Sequence, residues 1–129
     1  MANTITQRTL LGAGNDKTIV RSIHIVSDGS EETDLVIYDN SDFVADVTKG
    51  VLKEVWVSGS GCQGVMEWDQ TTDSPAFTFD PSNSGSWNFN SFGGIGNPGG
   101  AGATGDLLLT TTNLDAGDVL TLIIKITQN

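Results

Sequence analysis

One turn in this chain is spelled like a phosphate-binding loop. Gly59-Ser60-Gly61-Cys62-Gln63-Gly64 matches G-x-G-x-x-G and comes after an apolar, alternating stretch. In a dinucleotide site that pattern must open a helix, because the helix N-terminus holds the pyrophosphate. The next residues here are Val65-Met66-Glu67-Trp68, which alternate like a strand, and the loop carries no lysine. The motif is therefore expected to be a hairpin turn. Cys62, the sole cysteine, sits inside it with no cation nearby in sequence to lower its pKa. It is expected to be an ordinary thiol in a turn or at an edge. A lone cysteine also excludes an internal disulfide and a multi-cysteine zinc site.

Other reactive residue types are sparse. His24 is the one histidine and lies mid-strand, so it reads as a satisfied strand residue; a triad would need geometry to reveal it. Asp28, Glu31, Glu32 and Asp34 crowd one loop. Hard carboxylate oxygens at that density could hold Ca²⁺, but their spacing is not that of an EF-hand loop, and a solvated acidic turn is the favoured reading. Many Asp/Glu pairs could serve glycoside hydrolysis, yet nothing singles out two of them. The expectation is a non-enzymatic protein with no catalytic residues, no bound metal and no cofactor. Of the three tryptophans, Trp56 and Trp68 flank the glycine turn on strands and read as core or sheet-face residues. Trp87 belongs to Ser86-Trp87-Asn88-Phe89-Asn90-Ser91-Phe92, whose alternating aromatics make a one-sided strand. That face either packs into the core or anchors a partner.

Behind these residues stands a chain of 129 residues with 6 Lys+Arg against 16 Asp+Glu, a net charge of -10. It is long enough to bury a core without staples, and it reads as one domain over residues 1–129. Phosphate neutralisation needs a basic face, so no nucleic-acid partner is expected. Anionic lipid is disfavoured for the same reason. The apolar runs, such as Leu107-Leu108-Leu109, are far too short to span a membrane, and the first residues lack the features of a secretory signal. A reducing compartment is expected.

The scaffold that would position these residues is β throughout. Residues 18–26 place Ile19, Ile23 and Ile25 on one face with Arg21, and Val20, Ser22, His24 and Val26 on the other. Residues 51–58 set Val51, Lys53, Val55 and Val57 against Leu52, Glu54, Trp56 and Ser58. The last stretch sets Leu120, Leu122, Ile124 and Ile126 against Thr121, Ile123 and Lys125. Alternation rich in Val, Ile and Thr marks half-buried strands. Further strands are expected at 4–10, 33–39, 64–69, 75–79, 85–90 and 106–112, separated by Gly/Asn/Asp/Ser turns. The fold class is thus all-β, an antiparallel β-sandwich or jelly-roll-like domain of eight or nine short strands with little or no helix. The one weak helical candidate is Ser41 to Asp46. Residues 93–105 hold seven glycines in thirteen and are expected to form a loop, either mobile or laid closely against another surface.

Several phrases carry a family resemblance: Glu32-Thr33-Asp34-Leu35-Val36-Ile37-Tyr38-Asp39, Met66-Glu67-Trp68-Asp69, Phe92-Gly93-Gly94-Ile95, Gly105-Asp106-Leu107-Leu108-Leu109-Thr110-Thr111-Thr112 and Asp115 to Ile124. Together they look like small virion structural proteins of aquatic tailed bacteriophages, most of all a capsid decoration, or cement, protein. The resemblance implies a non-enzymatic subunit made in the host cytoplasm and carried on the capsid surface of the virion. Its implied partners are the major capsid protein and further copies of itself, as a homotrimer or other homo-oligomer. The reaching elements would be the N-terminal strand and the glycine-rich segment, with Trp87, Phe92, Ile95, Gly96, Pro98, Gly99 and Gly100 as the contact residues. Similar β-modules also serve in tails, necks and fibres. A different class, a carbohydrate-binding module, would use an exposed Trp56 or Trp87 beside Asn/Asp.

Overall fold

Alternation in the sequence becomes two facing antiparallel sheets. The computed structural model describes residues 3–12, 18–42, 50–59, 62–80 and 85–128. Its strands are β1 (Thr4–Leu11), β2 (Thr18–Val26), β3 (Leu35–Tyr38), β4 (Gly50–Gly59), β5 (Gln63–Trp68), β6 (Ser74–Phe79), β7 (Gly85–Asn88), β8 (Ile95–Gly96), β9 (Leu107–Thr112) and β10 (Val119–Gln128). One sheet runs β1-β2-β10-β4-β7, with β8 added beside β4; the other runs β3-β9-β5-β6. All nine expected strands are present. The tenth, β8, lies inside the glycine-rich segment, where the composition predicts a loop. Ile95 and Gly96 pair there with Leu52 and Val51. The only trace of helix near Ser41, among the described residues, is a 3-10 turn at Asn40–Asp42; residues 43–46 lie outside them.

β10 is the spine. It pairs with β2 on one side and β4 on the other, and its burial alternates strictly from Val119 to Gln128. Leu120, Leu122, Ile124 and Ile126 meet Ile19, Ile23 and Ile25 of β2 and Leu52, Val55 and Val57 of β4 in the core. The second sheet answers with Ile37, Tyr38, Met66, Trp68, Phe79, Leu107 and Leu109. Removing each of these large side chains from water stabilises the fold by about 1.5–3 kcal/mol before entropy is counted.

β4 departs from simple alternation. Lys125 pairs with Glu54 but Ile126 pairs with Leu52, so Lys53 has no opposite number on β10. This bulge reverses the phase of the strand. Leu52 therefore shares the buried face with Val55 and Val57, although the sequence spacing sets them on opposite faces.

The Gly59–Gly64 turn is also different from the expected hairpin. β4 ends in one sheet and β5 begins in the other, so this connection crosses between sheets. Residues 60 and 61 lie outside the described residues. Cys62 is buried, 3 % exposed, and burial in the acidic neighbourhood of Asp118 and Glu31 pushes its thiol up to about 11. It is a core residue, not an ordinary surface thiol.

Candidate functional site

The aromatics of residues 87–92 close the open side of the sandwich between β7 and β6. Trp87 faces inward opposite Val55, and its ring lies 5.2 Å from Phe77 of β6. Phe77 also meets Phe89 at 5.3 Å, and Phe89 meets Phe92 at 6.0 Å. These tilted geometries suit the ring quadrupoles. The line runs from the core to the surface: Phe89 is 7 % exposed and Phe92 is 66 % exposed. Of the two roles open to this face, Trp87 takes mainly the packing one and Phe92 presents a bare ring to solvent.

From Phe92 the chain turns through Gly93 in the left-handed conformation and becomes a strap from one sheet to the other. Its start is held by the Gly94 N–H donating to Phe89 O at 2.9 Å and by Lys53 Nζ donating to Gly93 O at 2.8 Å. The Asn97 N–H donates to Gly50 O at 3.0 Å. On the far side, the Gly100 N–H donates to Gln70 Oε1 at 3.0 Å and the Thr71 N–H to Ala101 O at 2.9 Å. Three positions of the segment require glycine, among them Gly102, with φ +76° and an added Cβ 2.3 Å from Thr71 Oγ1. Gly94 has φ +92° and a Cβ there would lie 2.6 Å from Val51; Gly105 has φ +83° and would strike the Asn40 amide at 2.7 Å. The glycine-rich segment is thus laid closely against a surface, and the surface is its own protein. Of the expected contact residues, Phe92, Gly96, Pro98 and Gly100 are exposed, whereas Trp87, Ile95 and Gly99 are half-buried.

A second feature lies on the outer face of the larger sheet. Four rungs cross it: Thr4, Val26 and Val119; Thr6, His24, Thr121 and Ser58; Arg8, Ser22, Ile123, Trp56 and Ser86; and Leu11, Val20, Lys125, Glu54 and Asn88. Trp56 stands near the middle, 36 % exposed, over an open cleft of about 390 Å³. Trp68, in contrast, is wholly buried. One neighbouring rung is ionic: Lys125 Nζ lies 3.2 Å from Glu54 Oε2, and the Asn88 amide donates to Glu54 Oε1 at 3.1 Å. On the other side His24 Nδ1 and Thr121 Oγ1 are 3.0 Å apart. His24 is exposed and satisfied, as its place in the strand suggests. The Trp56 cleft is only half legible in the sequence. The phase Glu54-Trp56-Ser58 marks a polar face, but the bulge that parts Leu52 from that face has no sequence signature.

The acidic loop does not converge on a point. Asp28 accepts from the Ser30 N–H at 3.0 Å, and hydrogen bonds from Ser30, its side chain above all, hold the Asp28 carboxyl below the usual range. Glu31 accepts from the Leu114 N–H at 2.7 Å, and Glu32 from the Asn3 amide at 2.7 Å. These bonds tie the loop to β1 and to the β9–β10 turn. Asp34 instead joins Glu67 and Asp73, with carboxylate oxygens within 4.8 Å of one another. Burial, with the like charges of Asp73 and Asp34, pushes the Glu67 carboxyl up. Among the described residues this is the only grouping of that kind, and it is not the one the sequence spacing suggests.

Comparison with known proteins adds little to this geometry. No protein-family model matches the chain, and no curated protein does. Among solved structures, the enzymatically active domain of tailspike protein 4 of bacteriophage CBA120 aligns with a TM-score of 0.24 and 7 % identity. The alignment covers all of this chain and 16 % of that one. A likeness that weak carries no argument about fold or activity.

Proposed function

We propose that this protein is a non-enzymatic structural module of a phage virion, a decoration subunit that binds and stabilises the capsid exterior. The family resemblance of the sequence motivates the reading, and one observation supports its mechanism. Phe92 presents a bare aromatic ring that is continuous with the core through Phe89 and Phe77 and is followed by a strap pinned at both ends. A large apolar side chain on a rigid support is what an interface anchor requires, because little entropy is lost when it docks. The partner is the major capsid protein. Many equivalent sites on a shell multiply a modest single-site affinity, more so for a homo-oligomer. The net charge of -10 keeps the outward surface soluble and away from nucleic acid.

The test is quantitative mass spectrometry of purified particles, scaled to the major shell protein, with rebinding of purified chain to stripped particles as the second step. A copy number comparable with the shell protein is expected. Phe92→Ser is expected to weaken rebinding about tenfold or more, with the melting temperature unchanged. A handful of copies per particle would move the module to the tail, neck or fibre. Absence from the particle would overturn the structural reading.

A further inference from the structure

We propose that the Trp56 cleft binds a neutral saccharide. This inference does not rest on the shell-binding reading; it concerns the opposite face of β4 and shares no residue with the Phe92 corner.

The cleft lies over three adjacent strands. Ile123 of β10 and Ser86 of β7 are the cross-strand neighbours of Trp56 on either side, and Thr121 and Ser58 form the next rung. Its volume, about 390 Å³, falls in the range of small-ligand sites. Gly85 opens one wall, since a Cβ built there meets nothing within 4 Å.

The lining has two kinds of chemistry. Trp56 and Ile123 supply an apolar floor, and Ser58, Ser86 and Thr121 supply hydroxyls that both donate and accept. A pyranose ring has the same two parts, a C–H face that stacks on an aromatic ring and a rim of hydroxyls. The exposed lining is mostly apolar, which suits the stacked C–H face, and with Thr121 Oγ1 already bonded to His24 the hydroxyls of Ser58 and Ser86 are left to meet the rim of the sugar.

Charge narrows the class further. The chain carries -10, yet among the described residues no Asp, Glu, Lys or Arg lines the cleft. The charges on the adjacent rung, Glu54 and Lys125, neutralise each other at 3.2 Å. A sulfated, sialylated or phosphorylated ligand would therefore meet a repelling protein whose cations on this face stand outside the cleft, Lys125 paired with Glu54 and Arg8 two strands beyond Ile123, and a cationic ligand would find no counter-charge in the cleft. A neutral hexose or hexosamine-type oligosaccharide meets neither penalty.

The experiment is an array of neutral, sialylated and sulfated glycans probed with the intact chain, then titration of the retained glycans. Retention of neutral glycans by the wild type is expected, with Trp56→Ala weakening binding about tenfold or more and Trp56→Phe falling between. Phe92→Ser is expected to leave glycan binding unchanged. Should Trp56→Ala fold poorly, Ser86→Ala removes one exposed hydroxyl beside Trp56 and is expected to weaken binding without lowering the melting temperature. No neutral glycan retained at millimolar concentration, a preference for anionic glycans, or binding indifferent to both Trp56→Ala and Ser86→Ala would each overturn the proposal. Loss of shell binding with glycan binding intact would count against the decoration reading alone.

Discussion

The ammonium of Lys53 donates to the carbonyl oxygen of Gly93 at 2.8 Å, joining the β4 residue that has no opposite number on β10 to the start of the strap. The relationship explains two irregularities at once. Leu52 and Val55 can both face the core only if one residue between them is displaced. The displaced side chain is long, and its charged end reaches the carbonyl of Gly93, which lies in a turn outside the sheets.

Replacing Lys53 by Met keeps the aliphatic stem and deletes the bond. The expected cost is about 1 kcal/mol, a typical net value for one hydrogen bond. Hydrogen exchange should accelerate at the Gly94 and Asn97 amides, which donate to Phe89 O and Gly50 O. Unchanged exchange at both would show that the strap is held without Lys53.

Gly64 on β5 lies under the ring of Phe79, where an added Cβ would come within 2.1 Å of Cζ. Both partners are buried, so neither can give way cheaply. Gly64→Ala is expected to destabilise by about 1–3 kcal/mol in urea denaturation. Gly96→Ala is the control. It meets nothing within 4 Å and is expected to change stability by less than about 0.5 kcal/mol.

Cys62 should behave as a buried acid whose neutral form is favoured by folding. In the unfolded chain the thiol ionises near the usual value, about 8.5. In the native protein it holds its proton until about 11. The unfolded state therefore binds fewer protons between these values, and the contribution to stability declines as pH rises through that window. Melting temperature should fall on alkaline titration, and Cys62→Ala should flatten that fall. In native protein at about pH 8, below the ordinary thiol pKa, a thiol reagent should label Cys62 only as fast as the protein opens, whereas rapid labelling would place the thiol at the surface.

Much of the scaffold was legible in the residues themselves. A side chain on a strand points to alternate faces whatever the strand pairs with, so Ile19, Ile23, Ile25 and the even positions of Leu120 to Ile126 declared a buried face by local spacing alone. Glycine, serine and aspartate at Ser27–Ser30 and Asp115–Asp118 declared those turns, because their conformational preferences are also local, while most of the breaks at 12–16 and 80–85 lies outside the described residues. The all-β class and nine of the ten strands rest on these two facts.

What only the tertiary structure decided depends on partners distant in sequence. The Lys53 bulge exists because β10 and β4 must both bury their apolar rows, and no local pattern announces it. It is the step that lets Leu52 enter the core while Trp56 stays on the solvent face beside Ser86. Phe92 and Trp87 belong to one alternating stretch, yet Phe77 from another sheet covers Trp87 and leaves Phe92 bare. The glycine-rich segment offered a mobile or a closely laid loop. The structure chose the second, since its carbonyls and N–H groups meet Lys53, Gly50, Gln70 and Thr71, residues that come together only when both sheets are in place.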